Sequence, residues 1–537
     1  MMHFDEVLKN SGYDVVGVID IDQDIDKQVK QLYKPVFAPN ERIVVKYNHD
    51  HFRSKTAIGL RLRQIQLAAT KYDITNCFFL IITGHKDIEK NLLNLSPTQP
   101  MTYMVSADKF HMDLGGNVYS SDDLAKIKLE DLTWRERQLL VESKTFCMYP
   151  WVHLHAYPTG DAQPCCHAEH AVGNFGDFKK QTMKEVWSSG KMKRLRADML
   201  NEVEHQSCGR CYEQEANGFF SGRMSANKHF GHLIKKGVDL DPPFEMAYWD
   251  VRFSNLCNLS CRSCGHMFSS SWFKDQVALH GSGHANIDTP MFYAGRFEMD
   301  MYEQLIEHID HVEQLYFAGG EPLTMKEHYM ILDELEARKM FDVKLVYNTN
   351  FTKNKLKDKT IFDYWSKFKN VAVGASLDAM GPRAELIRNG TVWSDVEYNR
   401  QQLLERCPHV DFYISPTMSI QNVLHIPDFH RDWVERGWLK PMDLNVNILQ
   451  DPAWLRIDIA TDHYKDLIRK KLQAHIEWLK PQDTLGRATM GFESALKYLN
   501  GNRQDQLPVF WKRMTALDEV RNQSTLDIIP ELHELTK

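Results

Sequence analysis

The sequence predicts an α/β protein: a parallel sheet of six strands alternating with helices, a small loop-rich cysteine module before it, and an N-terminal α/β domain. Three observations predict this. Between residues 244 and 450, short apolar runs recur at roughly thirty-residue spacing with helical patterns between them, the signature of parallel strands joined by right-handed crossovers. Eight of the ten cysteines fall between Cys147 and Cys264, and clustering of that kind in a reducing compartment points to metal or catalysis before disulfides. The 537 residues contain no run of eighteen apolar positions, and 43% hydrophobic residues suffice for several packed cores.

Taken in order, residues 1–140 read as an α/β domain of unknown role. Val15–Ile19, Ile43–Val45 and Phe78–Thr83 have the composition of buried strands, and Thr56–Tyr72 that of an amphipathic helix. No phosphate-binding or dinucleotide motif occurs there, so docking or substrate recruitment is the plainer expectation. Residues 141–235 are short-element, loop-rich, and hold five cysteines. Residues 244–450 supply six strand candidates: Met246–Phe253, Val312–Ala318, Val343–Tyr347, Val371–Ala375, Val410–Ser415 and Leu444–Ile448. Residues 451–537 read as a mainly helical extension, with Tyr464–Leu479 its clearest amphipathic stretch.

Sixty-five basic and seventy-two acidic side chains give a formal charge of −7 without long like-charge runs. A nucleic-acid grip built on a basic stripe is therefore not expected. The amino terminus, MMHFDEVLKN, lacks a basic-then-apolar signal segment, so a cytoplasmic location is expected and membrane insertion is not.

Polar and glycine residues gather just past the strand candidates. Cys257 follows the first, Gly319-Gly320-Glu321-Pro322 the second, Asn348-Thr349-Asn350 the third, Ser376 and Asp378 the fourth, and Thr417 the fifth. The carboxyl ends of parallel strands are where a βα barrel builds its active site, so these loops read as one site. The first loop, Cys257-Asn258-Leu259-Ser260-Cys261-Arg262-Ser263-Cys264, spaces three cysteines by three and then two residues. Three thiolates can hold a cubane iron–sulfur cluster and leave one iron open, as catalysis needs. A zinc site completed by His266 is the alternative. Glu321 alone would equally suit a carboxylate at a helix start.

With CNLSCRSC, GGEP, SLD (Ser376–Asp378) and Arg388 of ELIRNG in this register, about two hundred residues resemble the radical S-adenosylmethionine (radical SAM) superfamily. The resemblance implies a partial (β/α)6 barrel with a 4Fe–4S cluster on Cys257, Cys261 and Cys264. It also implies that S-adenosylmethionine is bound by Gly319, Gly320, Glu321, Asn348, Ser376, Asp378 and Arg388. Glu321 would meet the methionyl ammonium, the SLD segment the ribose and Arg388 the carboxylate. Reductive cleavage to a 5′-deoxyadenosyl radical and hydrogen abstraction from a substrate would follow, fed by a reductant such as flavodoxin or ferredoxin. Ser263 departs from the bulky apolar residue usual before the third cysteine.

Upstream, Cys147, Cys165, Cys166 and Cys208-Gly209-Arg210-Cys211 resemble the opening of the SPASM and twitch auxiliary-cluster domains, with PCCH, VGNFGD and EVWSSGKMKRLR in support. The resemblance implies a second 4Fe–4S cluster on Cys147, Cys165, Cys208 and Cys211, with Cys166 a substitute for Cys165. Five cysteines fit the single-cluster twitch form, and a four-thiolate zinc site is the alternative. The module usually follows the barrel, whereas here it precedes it. An auxiliary module of this type favours a peptide or protein substrate. A sugar or nucleotide is the alternative, and a non-enzymatic iron–sulfur electron carrier or zinc-stabilised binding protein is the reading from another class.

The remaining residues of note have blander expectations. His153, His155 and His167 read as surface or packing residues, Trp272, Phe273, Phe292 and Tyr293 as core, and KQTMKEVWSSGKMKRLR as a solvated helix face. Cys77 and Cys407 read as small buried hydrophobes.

Overall fold

The computed structural model describes residues 14–20, 25–32, 41–48, 78–83, 103–105, 111–112, 118–119, 124–169, 173–216, 220–281, 289–484 and 486–536. The chain divides into two compact units whose segments interleave. One holds residues 1–149, 167–172 and 195–239; the other holds 150–166, 173–194 and 240–537.

In the first unit, β1 (Asp14–Asp20), β2 (Glu41–Asn48) and β3 (Phe78–Thr83) lie parallel in that order, with β4 (Tyr103–Val105) antiparallel at the edge of β3. All three strands expected from the apolar runs are present. The helix expected over Thr56–Tyr72, and Cys77, lie outside the described residues.

The second unit is built on one eight-stranded sheet. Its strands are β5 (His153–Ala156), β6 (Asp161–Gln163), β7 (Gly176–Asp177), β8 (Tyr248–Val251), β9 (Gln314–Phe317), β10 (Lys344–Thr349), β11 (Val371–Ala375) and β12 (Asp411–Ile414). Their order across the sheet is β12-β11-β10-β9-β8-β5-β6-β7. From β5 to β12 every neighbour is parallel, and β6 and β7 turn back as an antiparallel border. The sixth candidate strand continues the series only loosely. Leu444 bridges Ile414, and β13 (Thr417–Met418) pairs in parallel with β14 (Asn447–Ile448). The sheet stays open, as a partial barrel does.

Apolar and β-branched residues alternate along these strands, with every second residue buried in β9, β10 and β12. Leu315, Leu345, Tyr347, Val373 and Ala375 are buried, and Phe317 stacks on Tyr347 at 5.0 Å. Helices Lys326–Ala337, Ile361–Trp365, Trp393–Arg406 and Ile426–Glu435 supply the cover between successive strands. The C-terminal extension is helical, as expected, over Asp462–Leu479, Arg487–Tyr498 and Leu507–Arg521. Cys407 is a buried thiol against the Phe362 carbonyl. No helix among the described residues is long and apolar enough to cross a membrane.

Two expectations need correction. The helix Gly190–Leu200 buries Leu195, Arg196 and Met199, so its basic run is not a uniformly solvated face. His153 and His155 are not surface residues. They alternate with Leu154 along β5, so both project from one face of the strand, and both are fully buried.

Candidate cluster and cofactor site

The cysteine loop leaves the end of β8 and is clasped from two sides. On one side, Glu321 N–H donates to the Leu256 carbonyl at 2.7 Å, so the GGEP turn lies directly against the residue before Cys257. Only glycine fits there: Gly320 has φ +50°, and a Cβ on it would meet the Leu256 oxygen at 2.2 Å. Gly320→Ala is expected to cost about 1–2 kcal/mol in backbone strain alone and to drive the turn off the loop. Iron content and thermal midpoint of the anaerobically reconstituted variant check this, and a wild-type midpoint would show that the two loops need not touch.

On the other side, the Arg388-Asn389-Gly390 segment runs along the loop. Ser260 N–H donates to the Asn389 carbonyl at 2.9 Å, Arg262 N–H to the Ile387 carbonyl at 2.8 Å, and Asn389 Nδ2 to Ser260 Oγ at 2.9 Å. Trp272 Nε1 donates to the Cys261 carbonyl at 2.8 Å, which places this expected core residue under the loop. Arg262, fully buried between two cysteines, ties the loop to the C-terminal extension. Its guanidinium reaches Asp518 Oδ1 at 2.5 Å, Thr525 Oγ1 and Gln523 Oε1 at 2.9 Å, and the Leu386 carbonyl at 3.2 Å.

Cys257, Cys261 and Cys264 are free thiols, and Cys261 feels the other two electrostatically. Burial pushes Cys257 and Cys261 up to about 12 and raises Cys264, so metal binding here must be coupled to proton release. The Arg388 guanidinium, 3.8 Å from Cys261 Sγ, opposes that rise and compensates thiolate charge. His266, the fourth ligand of the zinc alternative, is instead buried between Phe273 and Phe292 with Nε2 3.4 Å from the Pro290 carbonyl. Both aromatic rings are half-buried rather than core.

Glu321 is buried at the centre of the clasp. Its carboxylate accepts from Thr349 Oγ1 at 2.7 Å, Asn350 N at 2.6 Å and Leu323 N at 3.0 Å. The bond from Leu323 N realises the helix-start role; the other two join strand ends β9 and β10. Burial raises its pKa to about 7, against the pull of these donors. Asn350 also donates to Asn258 Oδ1 at 3.0 Å, binding the third-strand loop to the cysteine loop.

The other expected cofactor residues divide. Arg388 pairs with Asp378 (Nε to Oδ2, 2.8 Å), and Asp378 also accepts from Thr417 N at 2.7 Å. The Asp378 carboxylate is thus committed to holding Arg388, and half-buried Ser376 is the freer member of SLD. Asn348 is exposed and donates to Tyr316 Oη, away from Glu321. The groups at the Glu321 carboxylate are the Thr349 hydroxyl and the Asn350 backbone N–H.

In the first unit, Cys147, Cys208 and Cys211 form a second group of coupled thiols. Burial and the neighbouring Cys208 and Cys211 raise Cys147 well above its usual range, and Cys208 is pushed up to about 12. Arg223 stands beside them. It pairs with Glu215 and donates to the Ser143 and Phe146 carbonyls at 3.0 and 2.9 Å, holding the segment that carries Cys147. Cys165 and Cys166 belong to the second unit. Burial raises Cys166 to about 12, and its neighbours are Asp250 and Arg252. His167 is half-buried, its ring filling the space a Cβ on Gly222 would need.

No curated protein matches the chain. Residues 147–212 match the SPASM family, described as an iron-sulfur cluster-binding domain. Among solved structures, native anSMEcpe with bound AdoMet and Cp18Cys peptide is 16% identical, with 42% of this chain and 58% of that chain covered at a TM-score of 0.28. Native anSMEcpe with bound AdoMet is 20% identical over 42% and 57%, at 0.27. TYW1 with a lysine-pyruvate adduct is 13% identical over 44% and 72%, at 0.23. The chain spans less than two thirds of the two anSMEcpe chains. The chain thus joins a segment matching the SPASM iron-sulfur cluster-binding domain, at 147–212, to an open, mainly parallel sheet that carries a CxxxCxxC loop at the end of β8.

Proposed function

We propose that the chain is a radical SAM enzyme that abstracts hydrogen from a peptide or protein substrate. The observation that carries the chemistry is the cysteine loop clasped between the GGEP turn and Arg388-Asn389-Gly390, with a buried carboxylate on one side and a guanidinium on the other. The preference for a peptide rests on the SPASM match at 147–212 alone. A 4Fe–4S cluster on Cys257, Cys261 and Cys264, with S-adenosylmethionine at its open iron, supplies reductive cleavage to a 5′-deoxyadenosyl radical.

The chain's own residues prepare that chemistry. Arg388, oriented by Asp378, balances the negative charge of the three thiolates. Glu321 offers a preoriented acceptor for the methionyl ammonium, with Thr349 and Asn350 fixing its carboxylate. Gly319 and Gly320 bring the backbone close. Cys147, Cys208 and Cys211 are the thiols of the first unit that would hold the auxiliary cluster. The resemblance to twitch modules supplies Cys165, or Cys166 in its place, as the fourth ligand. A flavodoxin or ferredoxin supplies the electron.

The test is product formation. Anaerobically reconstituted protein should carry about eight irons, from two cubanes, and release 5′-deoxyadenosine under dithionite or flavodoxin reduction. Cluster-loaded protein that yields none would overturn the reading. Glu321→Gln should weaken S-adenosylmethionine binding by about 1.5–3 kcal/mol, roughly ten- to over a hundredfold, with iron unchanged. An unaltered dissociation constant would remove Glu321 from the pocket.

A further inference from the structure

Away from the cysteine loops, His153, His155 and Asp250 form the one group among the described residues whose ligand atoms all lie within 4.8 Å of one another. All three are fully buried. β5 and β8 pair in parallel with His155 opposite Asp250 and His153 opposite Tyr248, so the register itself assembles the group. It lies within the second unit, at the join between the SPASM-matched strand and the first barrel strand.

The geometry points to a binding site for one divalent first-row transition metal, with His153, His155 and Asp250 as its ligands. Four features of the group support it. His155 Nδ1 and Asp250 Oδ2 face each other 3.1 Å apart, both fully buried. A buried carboxylate this close to an imidazole nitrogen needs a proton or a cation between them. Tetrahedral zinc, with bonds of ~2.0–2.1 Å to nitrogen or oxygen, separates its ligands by about 3.3 Å, close to what is seen.

His153 Nδ1 lies 3.1 Å from the Tyr248 carbonyl. That contact puts the proton on Nδ1 and leaves the Nε2 lone pair for a metal, the usual second partner of a ligating histidine. The other carboxylate oxygen, Asp250 Oδ1, lies 3.4 Å from Arg252 Nε, which fixes the carboxylate so that Oδ2 faces the histidines. Two imidazoles and one carboxylate suit zinc or ferrous iron and leave a position open for water. The cation would pin the SPASM-matched strand to the barrel.

Zinc is the probe. Full-length protein from zinc-supplemented medium, purified and reconstituted anaerobically, should contain about one zinc per chain beside its irons. X-ray absorption should show a nitrogen and oxygen shell at ~2.0–2.1 Å with at most one sulfur, because Cys166 neighbours Asp250. The His153→Asn/His155→Asn double variant should lose the zinc while keeping iron and sulfide, and the Cys257/Cys261/Cys264→Ala variant should keep it. Zinc absent from wild type, retained by the double variant, or bound by two or more sulfurs would each overturn the site. The absorption measurement on wild type stands even where a variant fails to fold.

Discussion

Cys261→Ala is expected to halve the iron, from about eight to about four per chain, and to abolish 5′-deoxyadenosine formation. Of the three loop thiols Cys261 is the most deeply placed. Its carbonyl holds Trp272 and its sulfur faces Arg388. A cubane left with two protein ligands is not retained through desalting, and with no core cluster there is no electron donor beside the sulfonium. The auxiliary group keeps its four irons because none of its ligands lies in this loop. Iron, sulfide and product assays on one anaerobic preparation check both halves. A variant that still carries about eight irons would mean that the loop does not hold a cluster, and one with about one zinc in place of the remaining irons would turn the auxiliary group into a structural zinc site.

Arg262→Met is expected to be the most damaging substitution outside the cysteines. It removes a guanidinium that is fully buried and leaves Asp518, Thr525 and Gln523 without their shared donor. Breaking a buried ion pair from one side costs about 3–5 kcal/mol. The cost falls where it also loosens the cysteine loop, so reconstituted iron should drop together with thermal stability. Arg262→Lys should rescue little, because one ammonium cannot span acceptors placed around a planar fork. Differential scanning of cluster-loaded protein, paired with iron analysis, reads the effect. Normal iron with a lowered midpoint would mean that the clamp serves the fold and not the loop.

How much of this was legible in the sequence follows from the range over which each signal acts. Apolar runs are local, so six strand positions, the three N-terminal strands and the helix at Asp462–Leu479 could be read directly. The spacing of Cys257, Cys261 and Cys264 is local too. Arg262 was not legible, because nothing near it announces that Asp518 and Thr525, some 260 residues later, will surround it. The group of His153, His155 and Asp250 depends on which strand borders β8, a fact that no short pattern carries. One signal was present: histidines flanking a leucine in a strand share a face. That Thr349 and Asn350 meet Glu321 is set by where β10 ends against the GGEP turn, which no local pattern carries.

The position of β5 bears on how the protein can be cut and how it is made. Tyr248, Trp249 and Val251 have a neighbour on their outer side only because a segment about ninety-five residues earlier supplies one, with the short β6–β7 border beyond it. A fragment begun at residue 244 would present a raw, apolar strand edge, the kind of template that recruits other chains into aggregates. On the ribosome the order is reversed: the hairpin emerges first and must wait for its partner strand. Expression of the barrel alone, the obvious simplification for biochemistry, would therefore remove a wall of the barrel along with the upstream cysteines.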